Sequence, residues 1–410
     1  MFTLMGIEFK KFIRNKKFLV GLAFLIAIFI LMFFLIVCVR PKRVGVKNTI
    51  DKMQKYVNEL EEKGNQEKDK EAVAVSSAYD KLLKEGKEFL EVEKMKADPN
   101  IPWRKKVERD IKSSQDNLKR NSELHPDAEH SELSNIRLKK YYLDHNIPYD
   151  YDDKITAFNN FPDTIRIIGT FGLFIIVGVM ASNVVSGENK PATIKLLLTK
   201  PIKRWKVILS KFIVAVVTVN LMILLLEFIY FILVGLIFGF GDASLPFLGE
   251  VKYRIVDAIR IKELRGAIVP EIGSGVLISQ GSLIVKMLIL QVLGVTSTIA
   301  FCFLMAVVIK NPNNSMILSL ILIAFTHAIF NIKVNDYSMQ RLSPATVLDR
   351  ILAFLFPIYH NSIYVVSGGI NRVLAVDFIT FKFSVILLLV WIGVCYGITH
   401  VVFVKKDVVA

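Results

Sequence analysis

Residues 186–211 read SGENKPATIKLLLTKPIKRWKVILSK, and they lie between two apolar runs, Thr164–Val185 and Phe212–Phe238. Each run is about the 20 residues that a helix needs to cross roughly 30 Å of hydrocarbon. The piece between them holds seven basic residues and one acid, yet carries an apolar patch of its own. Two spans joined by a short basic connection place that connection on the cytoplasmic side of a membrane. The reading of every other segment follows from that placement.

Working outward, four more apolar blocks appear: Phe18–Val39, Leu283–Ile309, Met316–Ile332 and Phe383–Val404. The 410 residues are 53% hydrophobic with a mean hydropathy of +0.46, too apolar for an ordinary soluble domain. The first block is longer than the apolar part of a secretory leader, and VCVRPKR after it offers no small-residue cleavage site. It reads as a permanent span. The expected fold is an all-α polytopic membrane protein of six transmembrane helices, with an α-helical extracytoplasmic domain between the first and second.

The net charge of +15 is unevenly placed. Residues 40–163 hold 25 basic and 25 acidic side chains, and 239–282 hold five of each. The excess gathers in residues 1–17 (five basic, one acidic), 186–211, Lys310, and a tail with Lys405 and Lys406 against Asp407. Six alternating spans put all four pieces on one side, and the positive-inside rule makes that side the cytoplasm. Both termini are then cytoplasmic in a multi-pass membrane protein. The basic balance is thereby explained by topology and anionic lipid rather than by nucleic acid.

The expected order is an interfacial helix (1–17), first span (18–39), outer helical domain (40–163), second span (164–185), cytoplasmic loop (186–211) and third span (212–238). An outer segment (239–282), fourth span (283–309), short loop (310–315) and fifth span (316–332) follow. An outer or re-entrant segment (333–382), sixth span (383–404) and tail (405–410) complete it. In residues 1–17, Phe2, Met5, Phe9 and Phe12 recur at helical spacing among Lys10, Lys11, Arg14 and Lys16, as in a helix lying on the inner leaflet. Residues 46–97 read as helix, DPNIPW (98–103) as a break, and WRKKVERDIKSSQDNLKR and SELSNIRLKKYYLDHNIP as further helical stretches. Leu248–Gly275 reads as an amphipathic piece at the outer interface, and Leu342–Gly369 as a broken re-entrant or interfacial helical segment.

No GxxxxGK[ST], HExxH or GxSxG occurs, so neither a phosphate cradle nor a hydrolytic constellation is encoded, and this chain is not expected to be an enzyme. HPDAEH (125–130) reads as solvated residues in a turn rather than a metal site. Cys38, Cys302 and Cys395 all fall in apolar blocks without disulfide or metal spacing. The polar residues inside spans are the candidates for a substrate path: Glu227 and Asn220 in the third, seven residues apart, and His327 and Asn331 in the fifth, one turn apart. An acid in mid-membrane must face protein or water. Helix-to-helix hydrogen bonding is the competing reading for all four.

Within 186–211, Pro191 suits the first position of a short helix, Ile194, Leu196, Leu197 and Leu198 form the apolar patch, and Pro201 closes it. The run SGENKPATIKLLLTKPIKR resembles the signature region of bacterial ABC type-2 exporter permeases, S-x-E-x-x-x-G-T-(I/L)-x-(L/F)-L-L-(S/T)-x-P-(I/V)-x-R. Ser186, Glu188, Thr193, Ile194, Leu197, Leu198, Thr199, Pro201 and Arg204 match, while Ala192 stands in place of the glycine. VFVKKDV near the end and FLFPIYHNS before the last block fit the same family, and the large helical insertion resembles a Gram-positive subgroup. The resemblance implies a permease pairing with a second copy, identical or not. A separate ABC ATPase subunit, carrying ATP and magnesium, would dock on the loop at Glu188, Lys190, Thr193, Ile194, Leu197 and Leu198. No cofactor or metal is expected on this chain. The implied function is efflux across the bacterial cell membrane of an amphipathic or lipid-like substrate, peptide antibiotics included. An ATPase-driven mechanical or signalling device working through the outer domain, and an ion-driven transporter built on Glu227, stand as alternatives.

Overall fold

The computed structural model describes residues 1–38, 46–68, 73–120, 126–149, 154–170, 172–182, 203–255, 268–309, 311–338 and 346–405. The chain forms two compact units, one made of Met1–Phe33 with Thr156–Ala410, the other of Phe34–Ile155.

The first unit begins with α1 (Phe2–Ile13) and α2 (Lys16–Cys38). Arg14 and Asn15 separate them, the carboxamide oxygen of Asn15 accepting the Lys17 N–H at 3.0 Å, a cap that starts the second helix. Next come α7 (Ala157–Thr170), α8 (Leu173–Ala181) and α9 (Arg204–Phe238). The second apolar block therefore differs from the sequence reading. It starts seven residues earlier, where Thr156 and Asn159 cap each other's backbone N–H groups, and it is broken, α7 and α8 meeting at 57°. Gly172, with φ of +91°, takes the left-handed conformation at the break. The third helix likewise starts at Arg204, so 204–211 are helix rather than loop.

Residues 246–279 correct the all-α expectation, for their described residues hold four short strands. β1 (Pro246–Gly249) pairs antiparallel with β4 (Val276–Ser279), and β2 (Tyr253–Ile255) pairs with β3 (Ile268–Pro270) inside it. Short runs rich in Val, Ile and Tyr satisfy helical and extended periodicity equally, and glycines at 273 and 275 with positive φ decide for turns.

α10 (Gln280–Val308), α11 (Pro312–Ser338), α12 (Val347–Leu352), a 3₁₀ turn (Phe356–His360), α13 (Ser362–Ser367), α14 (Gly369–Val373) and α15 (Phe381–Lys405) complete the unit. α11 is longer than the fifth apolar block because Asn311 caps its start, accepting from the N–H groups of Asn313 and Asn314. Among the described residues five helices, α2, α9, α10, α11 and α15, are long and apolar enough to cross a membrane, and the bent pair α7–α8 makes six if it is one span. α10 is the hub, packing on α7, α8, α9, α11, α13, α15 and the 3₁₀ turn.

The second unit contains α3 (Val46–Lys68), α4 (Val73–Ala97), α5 (Trp103–Arg120) and α6 (Pro126–Asp144). α3 packs on α4, and α5 on α6 around Val107, Ile111 and Ile136, with Trp103, Leu118 and Leu143 against them. Asp110, buried on α5, binds Lys96 of α4 at 3.1 Å and Lys139 of α6 at 2.6 Å, and Lys96 also reaches Glu93 at 2.6 Å. Burial works against the Lys96 ammonium, but Glu93 and Asp110 outweigh it and hold its pKa above the ordinary lysine value. Glu129 and His130 of HPDAEH lie on α6, half-buried, and not in a turn, because Pro126 opens the helix.

Candidate functional site

The polar residues of the spans form two separate clusters. The first lies between α9 and α10. Glu227, 1% exposed, accepts from Nε2 of Gln291 at 2.5 Å. Two turns earlier on α9, Asn220 donates to Oγ1 of Thr296 at 3.3 Å and to the Val216 carbonyl at 2.9 Å. Both expected α9 candidates are thus engaged by α10, as two rungs of an antiparallel polar ladder. Oε2 of Glu227 and Oε1 of Gln291 are buried and unpartnered among the described residues.

The second cluster gathers at the break between α7 and α8. Nε2 of His327, on α11, lies 3.0 Å from the carbonyl oxygen of Thr170, the last residue of α7. A carbonyl only accepts, so Nε2 of His327 carries the proton. The helical ladder stops at Thr170, and His327 supplies the donor that hydrocarbon would not. The rings of His327 and His360 lie 4.1 Å apart, with Phe330 against His360 at 5.4 Å. Nδ1 of His360 faces the Pro357 carbonyl at 2.7 Å, which makes Nδ1 the protonated nitrogen. Its Nε2 lone pair is buried and unpartnered among the described residues, as are Oδ1 of Asn361 and Oγ of Ser362. Gly169 lets this turn approach, since a Cβ there would sit 2.3 Å from the His360 carbonyl oxygen. Asn331, half-buried, is joined to none of these side chains by a hydrogen bond among the described residues.

Sequence reasoning missed Gln291, Thr296 and His360. Gln291 was visible as an amide inside an apolar block, and His360 as the polar end of FPIYHNS. It also missed a buried ion pair: Nζ of Lys211, in α9, lies 2.6 Å from Oε2 of Glu8 in α1, with the side chains 3% and 5% exposed. Glu188, Lys190, Thr193, Ile194, Leu197 and Leu198 lie outside the described residues.

Long apolar helices, one of them broken and bridged by a histidine, make this a multi-pass α-helical membrane protein. The chain belongs to the family of ABC-2 family transporter proteins, whose model matches residues 2–408. It is thereby a membrane component of the ABC-transporter class. It is also similar to "Uncharacterized protein YhcI" of Bacillus subtilis (strain 168), 31% identical over 145 residues. That match covers 35% of this chain and 43% of the length of YhcI.

Proposed function

We propose that the chain is the permease subunit of an ABC exporter, moving an amphipathic or lipid-like substrate, peptide antibiotics included, out of the cytoplasm. The observation that carries this reading is the family match over residues 2–408, which takes in every apolar helix and the 186–211 segment. Two permease copies would work with separate ATPase subunits, which hold ATP and magnesium and dock at Glu188, Lys190, Thr193, Ile194, Leu197 and Leu198. The four basic pieces support a topology with both termini and this segment in the cytoplasm, and with 40–163, 239–282 and 333–382 outside. Asn220, Glu227, His327 and Asn331 would belong to helices that reorient during transport, their bonds forming and breaking between states.

One observation favours a second reading. The helical unit Phe34–Ile155 has its own core and its own buried charge network, as a part that transmits force or signal would need. In that reading the ATPase works the outer unit instead of driving a substrate.

The test is affinity purification from detergent followed by an ATPase assay, comparing wild type with Glu188→Ala and Leu197→Glu. An ATPase should come down with wild type and be lost from both variants. Retention by both, or no ATPase with wild type, overturns the proposed docking segment.

A further inference from the structure

The first helix has two different faces. Glu8 and Phe12, one turn apart, are buried against the rest of the unit, with Phe12 on Phe18 at 4.8 Å and Glu8 on Lys211. Leu4, Met5 and Ile13 are half-buried, and the remaining positions are exposed. Phe2 is 90% exposed and Phe9, two turns on, is 45% exposed. Lys10 and Arg14, also one turn apart and exposed, lie roughly 80–140° further round the helix from that aromatic pair. An aromatic arc edged by cations is the surface that an anionic bilayer accepts, rings toward the acyl chains and cations among the headgroups. The helix leads within three residues into α2, a candidate span, which holds it close to a membrane surface.

The buried pair adds a mechanical consequence. Lys211 lies two turns into α9, which emerges from the 186–203 segment. Parting these two buried charged groups forfeits a short charge-assisted hydrogen bond. The contact therefore fixes one register of α1 on α9 and penalises separation. We propose that α1 is an anionic-phospholipid binding element, using Phe2, Phe9, Lys10 and Arg14, and that the Glu8–Lys211 pair passes its occupancy to the start of α9. The inference rests on the chain being a membrane protein and not on transport or on an ATPase. It survives or fails independently of the co-purification test above.

The experiment is amide hydrogen exchange on the full chain in nanodiscs of phosphatidylcholine alone, or of equal parts phosphatidylcholine and phosphatidylglycerol. Phosphatidylglycerol should slow exchange in residues 2–13 and 204–211. Lys10→Gln and Arg14→Gln should each remove about fivefold of that slowing, with exchange in 280–308 unchanged as the control for folding. Glu8→Gln should keep the lipid response in 2–13 and abolish it in 204–211. Equal rates in the two lipids overturn the binding site, and a response in 204–211 that survives Glu8→Gln overturns the role of the pair. Slowing of 2–13 that requires a co-purified protein, in either lipid, assigns the face to a protein partner and also overturns the proposal.

Discussion

Replacing Gln291 by leucine removes the donor to Glu227 and nothing else of comparable size. Glu227 is 1% exposed and has no other partner among the described residues, so the carboxyl group stays buried without a hydrogen bond. Such orphaning costs about 1–3 kcal/mol. Within membranes, interhelical bonds measured by double-mutant cycles average roughly 0.6 kcal/mol and reach about 1.7, because the unfolded chain also finds partners. Here both side chains are enclosed by protein and the bond is short, so the coupling should fall near 1.5 kcal/mol, toward the upper end of that range. Glu227→Leu removes the other half and leaves a glutamine amide orphaned, a smaller loss. The double variant Glu227→Leu/Gln291→Leu replaces the pair by apolar groups and should recover most of the stability lost by Gln291→Leu alone. The assay is reversible unfolding of the full chain in mixed micelles titrated with a denaturing detergent, for wild type, both single variants and the double. Additive losses in the double variant would refute the reasoning, for they would show that the two side chains do not act as a pair.

Gly169→Ala places a methyl group 2.3 Å from the backbone oxygen of His360, where no side-chain rotation relieves it; micelle unfolding should show a loss of several kcal/mol, about 3 or more as for other overpacked sites. Glu8→Gln removes the carboxylate 2.6 Å from the buried Lys211 ammonium, a charge-assisted bond whose loss should cost about 1.5–3 kcal/mol, whereas the exchanged pair Glu8→Lys/Lys211→Glu should recover part of it in the same assay. The Lys96 pKa is raised in the folded state, so its contribution to the helical unit is complete below the ordinary lysine value of 10.5 and is lost only as pH rises through the folded value. Trp103 emission, in a Trp205→Phe/Trp391→Phe background, should therefore show no Lys96-dependent transition at neutral pH and an alkaline one that Lys96→Met removes.

Periodicity made much of this fold legible, and the places where it failed have physical causes. DPNIPW marked the gap between α4 and α5 because two prolines flank a turn, and Trp103–Arg120 emerged as one helix. The blocks Phe18–Val39 and Phe383–Val404 lie almost wholly within α2 and α15, since runs so apolar have no other way to satisfy their backbone in lipid. The break in the second block was illegible, because Thr170, Phe171 and Gly172 sit in a continuous apolar run. What permits the break is remote: a histidine 157 residues further on that takes up the Thr170 carbonyl. The strands of 246–279 were hidden for the opposite reason, their runs being too short to separate one period from another. Of the candidate site, the four polar residues could be listed from the sequence but not assigned partners. Glu227 and Asn220 gave no hint that Gln291 and Thr296 would face them, because contact between spans depends on the rotation of each helix.

The hub position of α10 follows from the kinds of residue it carries rather than from its hydrophobicity. Lipid tails are as apolar as leucine, so apolar burial does not drive spans together, and close backbone approach and polar bonds must. α10 has both. Gly294 lies under the Phe174 ring, where a Cβ would come within 2.3 Å of it. Ser297, Thr298 and Ala300 are fully or almost fully buried nearby, and Oγ of Ser297 donates to the Leu388 carbonyl of α15 at 3.2 Å. Gln291 and Thr296 add the bonds to α9. Accordingly 61% of the most apolar stretch of α10 is buried, against 17–28% for α2, α9, α11 and α15. A helix held by small residues and hydrogen bonds can exchange partners at modest cost, because each contact is worth only about a kcal/mol. In the transport cycle proposed above, the residues that assemble the bundle around α10 are the ones whose bonds would break. Glu227 with Gln291 is among the tighter of these joints, yet it leaves two buried oxygens unsatisfied among the described residues.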